Sequence, residues 1–166
     1  TCLRPSVHPP SSANRHDSNV RRCANRCEFC FVEGLPTGLR RALYIRDDDY
    51  RLSFAYGNFA TLSNVKERDI ERIIEYRLSP LYVSVHATPW EARKVLLNNP
   101  RVPNIVEQLT RLAAGGIQFH CQMVVVPGLN DGEVLAALDA ALRKLPRMLA
   151  DPFAPKDLVT AVDQND

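Results

Sequence analysis

Three cysteines fall in one short stretch, Cys23-Ala-Asn-Arg-Cys27-Glu-Phe-Cys30. Three thiolates on one tight loop can each bind one iron of a cubane cluster, and the fourth iron is then left without a protein ligand. A catalytic metal centre needs such a vacancy, because a closed site has nowhere to take another molecule. The competing chemistry is a structural zinc ion. Zinc takes four ligands, commonly from paired short spacings, and the sequence has no second Cys-x-x-Cys pair. Cys121, His86 or His120 would have to complete the set in space. Unliganded surface thiols are a third alternative, disfavoured because clustered exposed thiols oxidise readily. The chain has five cysteines, an odd number that argues against a fully paired disulfide framework. Clustered thiols read instead as metal binding in a reducing compartment, with the cytoplasm as the expected location.

Polar residues inside apolar runs are the other candidates. Ser84 and His86 stand two apart in Leu-Tyr-Val-Ser-Val-His-Ala (81–87), so a strand there points both to one face. His120 and Gln122 repeat the pattern in 117–126, with Cys121 on the opposite face. A core hydrogen bond explains any one of them alone; two such pairs in two strands favour a shared cavity. Asp47-Asp48-Asp49 lacks the Gly and Glu of a calcium loop. The expectation there is a solvated acidic turn, or one balanced by Arg46 and Arg51.

The elements that must position these groups alternate along the chain. Residues 1–22 are rich in Pro, Ser, Arg and His and read as irregular. Arg51 to Tyr56 alternates in a way that suits a strand, ended by Gly57-Asn58. Asn64 with Glu67 is a capping pair for a helix over 65–77, striped by Ile70, Ile73 and Ile74. Pro80 precedes a buried strand over 81–87, and Pro89 opens a short helix through Leu97. A helix over 104–114 stops at Gly115-Gly116. A third strand covers 117–126, Pro127 to Gly132 turns the chain, and Asp131 caps a helix over 132–145. Beyond Pro146 the pattern fades, and 147–166 reads as a tail. Strands alternating with helices argue for a parallel sheet with right-handed crossovers.

A chain of 166 residues makes one domain and buries about 70% of its unfolded surface. It is too short for a complete eight-stranded barrel, which takes at least about 200 residues. Basic and acidic residues number 21 and 19, a formal charge of +2. Near-balance gives no strong electrostatic case for nucleic acid or an anionic membrane. No stretch approaches the roughly 18 apolar residues of a membrane span. The first 22 residues lack the apolar region of a secretory signal. A start at Thr1 is what a fragment or a processed product would have.

With an aromatic residue before its last cysteine, the C-x3-C-x2-C spacing resembles the signature of the radical SAM superfamily. Leu43-Tyr-Ile-Arg-Asp-Asp-Asp-Tyr-Arg-Leu-Ser-Phe54, Gly57-Asn58-Phe59, Leu78 to Thr88 and Pro127 to Gly132 extend the likeness. Together they resemble one family of uncharacterised bacterial iron–sulfur oxidoreductases. That family carries a PDZ-like domain, a radical SAM core and a C-terminal domain of unknown function.

The resemblance implies an α/β fold, a partial (βα) barrel of the radical SAM type. The irregular segment would span 1–22, the core 23–146 and the tail 147–166. Cys23, Cys27 and Cys30 would hold a 4Fe–4S cluster whose open iron chelates the amino and carboxylate groups of S-adenosylmethionine. One electron from that cluster would cleave the sulfonium to methionine and a 5′-deoxyadenosyl radical, which abstracts hydrogen from a substrate. The family supplies no established substrate. Gly57-Asn58-Phe59 would hold the methionyl amine in place of a Gly-Gly-Glu-like segment, without its acidic residue; a simple turn glycine is the plain alternative. Ser84, His86, His120 and Gln122 would line the nucleoside or substrate cavity, and Gly128 with Asn130 would pack against adenine. Arg21, Arg22, Arg26, Arg40 and Arg41 would raise the cluster's potential or attract an acidic electron donor such as flavodoxin or ferredoxin. More often such a run is merely a solvated basic surface. The family's first strand is missing before Cys23, and its core runs past the end of this chain. An abridged product is therefore expected, with a non-catalytic remnant or a zinc-stabilised structural module as the alternatives to an active enzyme.

Overall fold

The computed structural model describes residues 20–145 and the strand Thr160–Asp163. The expectations for 1–19, 146–159 and 164–166 lie outside the described residues. The elements run α1 (Tyr50–Tyr56), α2 (Glu67–Glu75), β1 (Leu81–Ser84), α3 (Trp90–Leu96), α4 (Ile105–Ala114), β2 (Phe119–Val125), α5 (Gly132–Lys144) and β3 (Thr160–Asp163), with a 3-10 turn at Arg41–Tyr44.

The strands form one parallel sheet in the order β1-β2-β3. In its register Tyr82 faces His120 and Ser84 faces Gln122. Thr160–Asp163, expected within the C-terminal tail, instead pairs with Gln122 to Val125. On the other side of β1, Ala60 makes one parallel bridge to Val83. Its N–H donates to the Tyr82 carbonyl at 3.0 Å, and its carbonyl accepts from Ser84 at 2.9 Å.

The largest departure from the sequence expectation is Arg51 to Tyr56, which is helix α1 and not a strand. Alternation within those residues suits a pleat, but the ends decide the matter. The Asp49 carboxylate accepts from the Arg51 N–H at 3.0 Å, and Gly57 ends the helix in the left-handed region at φ 75°. As a helix the segment turns Tyr50 and Ser53, three apart, into the protein. The Ser53 hydroxyl then accepts from the Tyr82 N–H at 2.8 Å and donates to the Tyr82 carbonyl at 2.9 Å.

Helix α2 begins at Glu67, and its start is closed by Asp69, which accepts from the Lys66 N–H at 2.9 Å. The expected pairing of Asn64 with Glu67 does not form; the Asn64 amide donates to the Arg22 carbonyl at 3.3 Å. The apolar stripes of α2, α4 and α5 meet one face of the sheet. Ile70, Ile73, Ile105, Leu109, Leu112 and Leu138 pack there with Leu81, Val83, Val85 and Met123.

Candidate functional site

The cysteine loop has no regular secondary structure, so hydrogen bonds to its neighbours must hold it. Backbone pairing starts it: the Cys23 N–H donates to the Arg46 carbonyl and the Asp48 N–H to the Arg21 carbonyl, both at 2.8 Å. Asn25 is buried; its amide donates to Thr61 Oγ1 at 2.9 Å, and its Oδ1 accepts from Asn99 at 2.8 Å. The Arg26 N–H donates to the Leu97 carbonyl, at the end of α3, at 2.9 Å. Cys30 folds back on Cys27 through a 3.1 Å N–H to carbonyl bond. The Phe29 ring lies 4.9 Å from the His86 ring, which brings the loop to the carboxyl end of β1.

The acidic run is not a solvated turn. Asp48 and Asp49 are both buried. Asp48 gathers the N–H groups of Thr61, Leu62 and Ser63 at 2.6, 3.2 and 3.1 Å, with the Thr61 and Ser63 hydroxyls at 2.8 and 2.7 Å. It thereby shapes the turn that receives Asn25. Asp49 caps α1 and pairs with Arg51. Arg46, expected to balance this run, turns the other way, to the Asn25 carbonyl and Glu33.

Beyond β1 the chain leaves the extended region, and His86 adopts a left-handed backbone at φ 62°. Its Nδ1 accepts from the Val124 N–H at 3.2 Å. Burial, with the Arg93 guanidinium adding to it, pushes the imidazole down to about 3, so the ring is neutral and carries its proton on Nε2. Asn130, fully buried, ties the 127–132 turn to this point: its amide donates to the His86 and Val124 carbonyls at 2.8 Å, and Oδ1 accepts from Val126 at 2.7 Å. Gly128 takes φ 78° and donates to Asp131 Oδ2 at 3.0 Å, so that carboxylate closes the turn and makes no side-chain cap on α5.

The candidate residues therefore divide. His86, Ser84 and the Gly128–Asn130 turn lie toward the carboxyl ends of β1 and β2, where the cysteine loop arrives. Gln122 faces Ser84. His120 stacks on Tyr82, centroids 4.7 Å apart, and Phe59 meets Tyr82 edge-on at 5.5 Å. That trio sits four residues below Val124, about 13 Å at the strand rise. Asn58 donates to Asp47 at 3.3 Å and Gly57 ends α1; Thr61, rather than Gly57 to Phe59, meets the cysteine loop.

Sequence reasoning missed Arg93. It is 0% exposed, with Nε on the Val85 carbonyl at 2.9 Å and one NH2 on the Thr61 carbonyl at 2.7 Å. Burial lowers it to about 10, opposed by Asp48 and the Cys27 thiol. An arginine on a short helix carries no periodic signal of burial.

Burial, then the neighbouring Cys23 and Cys30 thiols, push Cys27 up to about 12; burial also raises Cys23. Three thiolates here repel each other unless a cation joins them. Among the described residues no three His, Cys, Asp or Glu side chains converge on the position of a single ion. Arg46 Nε is buried at the same loop without a partner among the described residues, a state that costs about 1–3 kcal/mol. A donor set of three soft sulfurs beside an unanswered N–H fits an iron–sulfur cluster.

The fold and site define an α/β protein whose parallel sheet carries a three-thiol loop at its strand ends. The chain belongs to the radical SAM family: the family model described as a radical SAM-like domain matches residues 12–151. That family generally implies an iron–sulfur cluster and S-adenosylmethionine, and it does not favour the zinc module. No curated protein and no solved structure matches the chain. Among the described residues, no helix is long and apolar enough to cross a membrane.

Proposed function

We propose that this chain is a radical SAM iron–sulfur protein built on a partial (βα) barrel, with Cys23, Cys27 and Cys30 as the ligands of a 4Fe–4S cluster. The observation that carries it is the attachment of the cysteine loop to the carboxyl ends of the parallel strands, through Phe29 on His86 and Asn25 on Thr61. Cofactors in parallel α/β folds bind at those ends. When bound, the cluster and S-adenosylmethionine supply a 5′-deoxyadenosyl radical that takes a hydrogen atom from substrate. The chain's residues supply the surroundings. His86 offers a fixed Nε2–H donor, Asn130 locks its backbone, and Ser84 and Gln122 present polar groups on the same sheet face. Gly128 frames the nucleotide less directly, whereas Gly57, Asn58, Phe59 and His120, gathered around Tyr82 farther down the sheet, are left out of this reading of the pocket. A low-potential one-electron donor, flavodoxin or ferredoxin, and a reducing cytoplasmic setting belong to the same proposal.

Anaerobic reconstitution tests it. The expected product binds about four irons per chain, and with dithionite and S-adenosylmethionine it releases 5′-deoxyadenosine. A full cluster that releases none identifies a non-catalytic remnant. One colourless zinc ion per chain overturns the proposal.

A further inference from the structure

Arg46 holds a buried donor for which the described residues offer no acceptor. Its guanidinium is fixed at the cysteine loop by the Asn25 carbonyl and by Glu33, and the buried Nε remains without a partner among the described residues. The nearby Cys30 and Cys23 thiols and Glu33 raise the guanidinium against its burial. Glu33, 52% exposed, answers part of the charge from the solvent side.

We propose that Arg46 donates its Nε–H to a sulfur of the cluster held by Cys23, Cys27 and Cys30, and thereby raises the cluster's reduction potential. The inference rests on the cluster assignment above. Reduction adds one electron, taken from an external one-electron reductant, and moves no atom. A nearby cation and an N–H donated to sulfur would both stabilise the more negative, reduced state. Arg46 acts directly on the cluster, and its effect is read in the potential.

The experiment is a dithionite titration of reconstituted protein, followed by electron paramagnetic resonance of the reduced cluster, with iron counted in each sample. Arg46→Gln is expected to lower the reduced-to-oxidised ratio at fixed potential about tenfold, which is about 59 mV for one electron. Arg46→Lys keeps the charge without the Nε–H and is expected between the two. Glu33→Gln unmasks the guanidinium and is expected to shift the potential upward. Arg143→Gln, the same charge change on α5, is expected to shift nothing.

Fully loaded Arg46→Gln and Glu33→Gln at the parent's potential would overturn the inference and leave the cluster assignment standing. An equal shift in Arg143→Gln would overturn it as well. A parent protein that takes up no cluster overturns both. Should Arg46→Gln fail to load iron, Arg46→Lys, which keeps the charge and removes only the Nε–H, decides: a potential below the parent's supports the inference, and the parent's potential overturns it.

Discussion

The two faces of the sheet carry opposite populations of side chains. On one, Leu81, Val83 and Val85 join Cys121, Met123 and Val125 against the apolar stripes of α2, α4 and α5. On the other, Tyr82 and Ser84 stand beside His120 and Gln122, and the cysteine loop reaches its upper end through Phe29 and His86. The period of two in a strand assigns successive residues to these faces, so stability and chemistry are separated within the same seven residues of β2. The apolar face is redundant: many side chains share its burial. The polar face is not, because each group there has a different neighbour.

Cysteine gives the sharpest way to break this contrast, since the same side chain occurs on both sides of it. Cys27 stands among thiols at the loop; Cys121 packs against the core, where burial alone pushes it up to about 12. Cys27→Ala is expected to abolish iron binding after anaerobic reconstitution. Cys121→Ala is expected to keep the parent's iron, because a buried thiol behaves as a small hydrophobe. Equal iron loss in the two variants would erase the distinction.

The next test sets packing against polarity. Leu109 is buried in the helix-covered face, and Leu109→Ala is expected to cost about 2–5 kcal/mol in denaturant unfolding. Gln122, half-buried on the other face, is expected to cost no more than about 0.5 kcal/mol when changed to Ala. A Gln122 variant as damaged as the Leu109 variant would show that the polar face is core.

Much of this division is legible in the residues. The Ile70, Ile73 and Ile74 stripe, the Gly115 stop and the His120–Gln122 pair announce helices, a strand and its two faces, because each signal is local and periodic; the Ser84–His86 pair does not, since β1 ends at Ser84 and His86 turns away at φ 62°. Arg51 to Tyr56 is misleading for a physical reason: its alternation is compatible with both periods, and the decision lies in Asp49 and Gly57 flanking it. Asp47-Asp48-Asp49 fails differently. A carboxylate that collects five donors from residues 61–63 is indistinguishable in sequence from one in water, because its partners are 13 to 15 positions away. The three cysteines stand out in the sequence by their spacing, but the residues that brace and charge their loop, Arg46, Thr61 and Arg93, reach it only through tertiary contacts. Thr160–Asp163 is too short to show a period and becomes a strand by pairing with β2.

The smallest expected effect concerns His86, where the polar face closes. In the unfolded chain its imidazole titrates near 6.5, and in the fold burial, with Arg93 beside it, pushes it down to about 3. Above pH 6.5 the ring is neutral in both states, and its contribution is fully present. As the pH falls below 6.5 the unfolded chain binds a proton that the folded chain refuses, so stability is lost progressively toward pH 3, at up to about 1.4 kcal/mol per pH unit. Asp69, held down by its hydrogen bond from Arg21, gives up its own contribution only in more acid solution. Between pH 6.5 and 5 the slope of unfolding free energy is therefore expected to shrink in His86→Gln, whose amide does not titrate. Denaturant midpoints across that range measure it. A slope equal to the parent's would mean that protons and water reach His86 in the folded chain, and the upper end of the polar face would then be open where Phe29 and Asn130 close it.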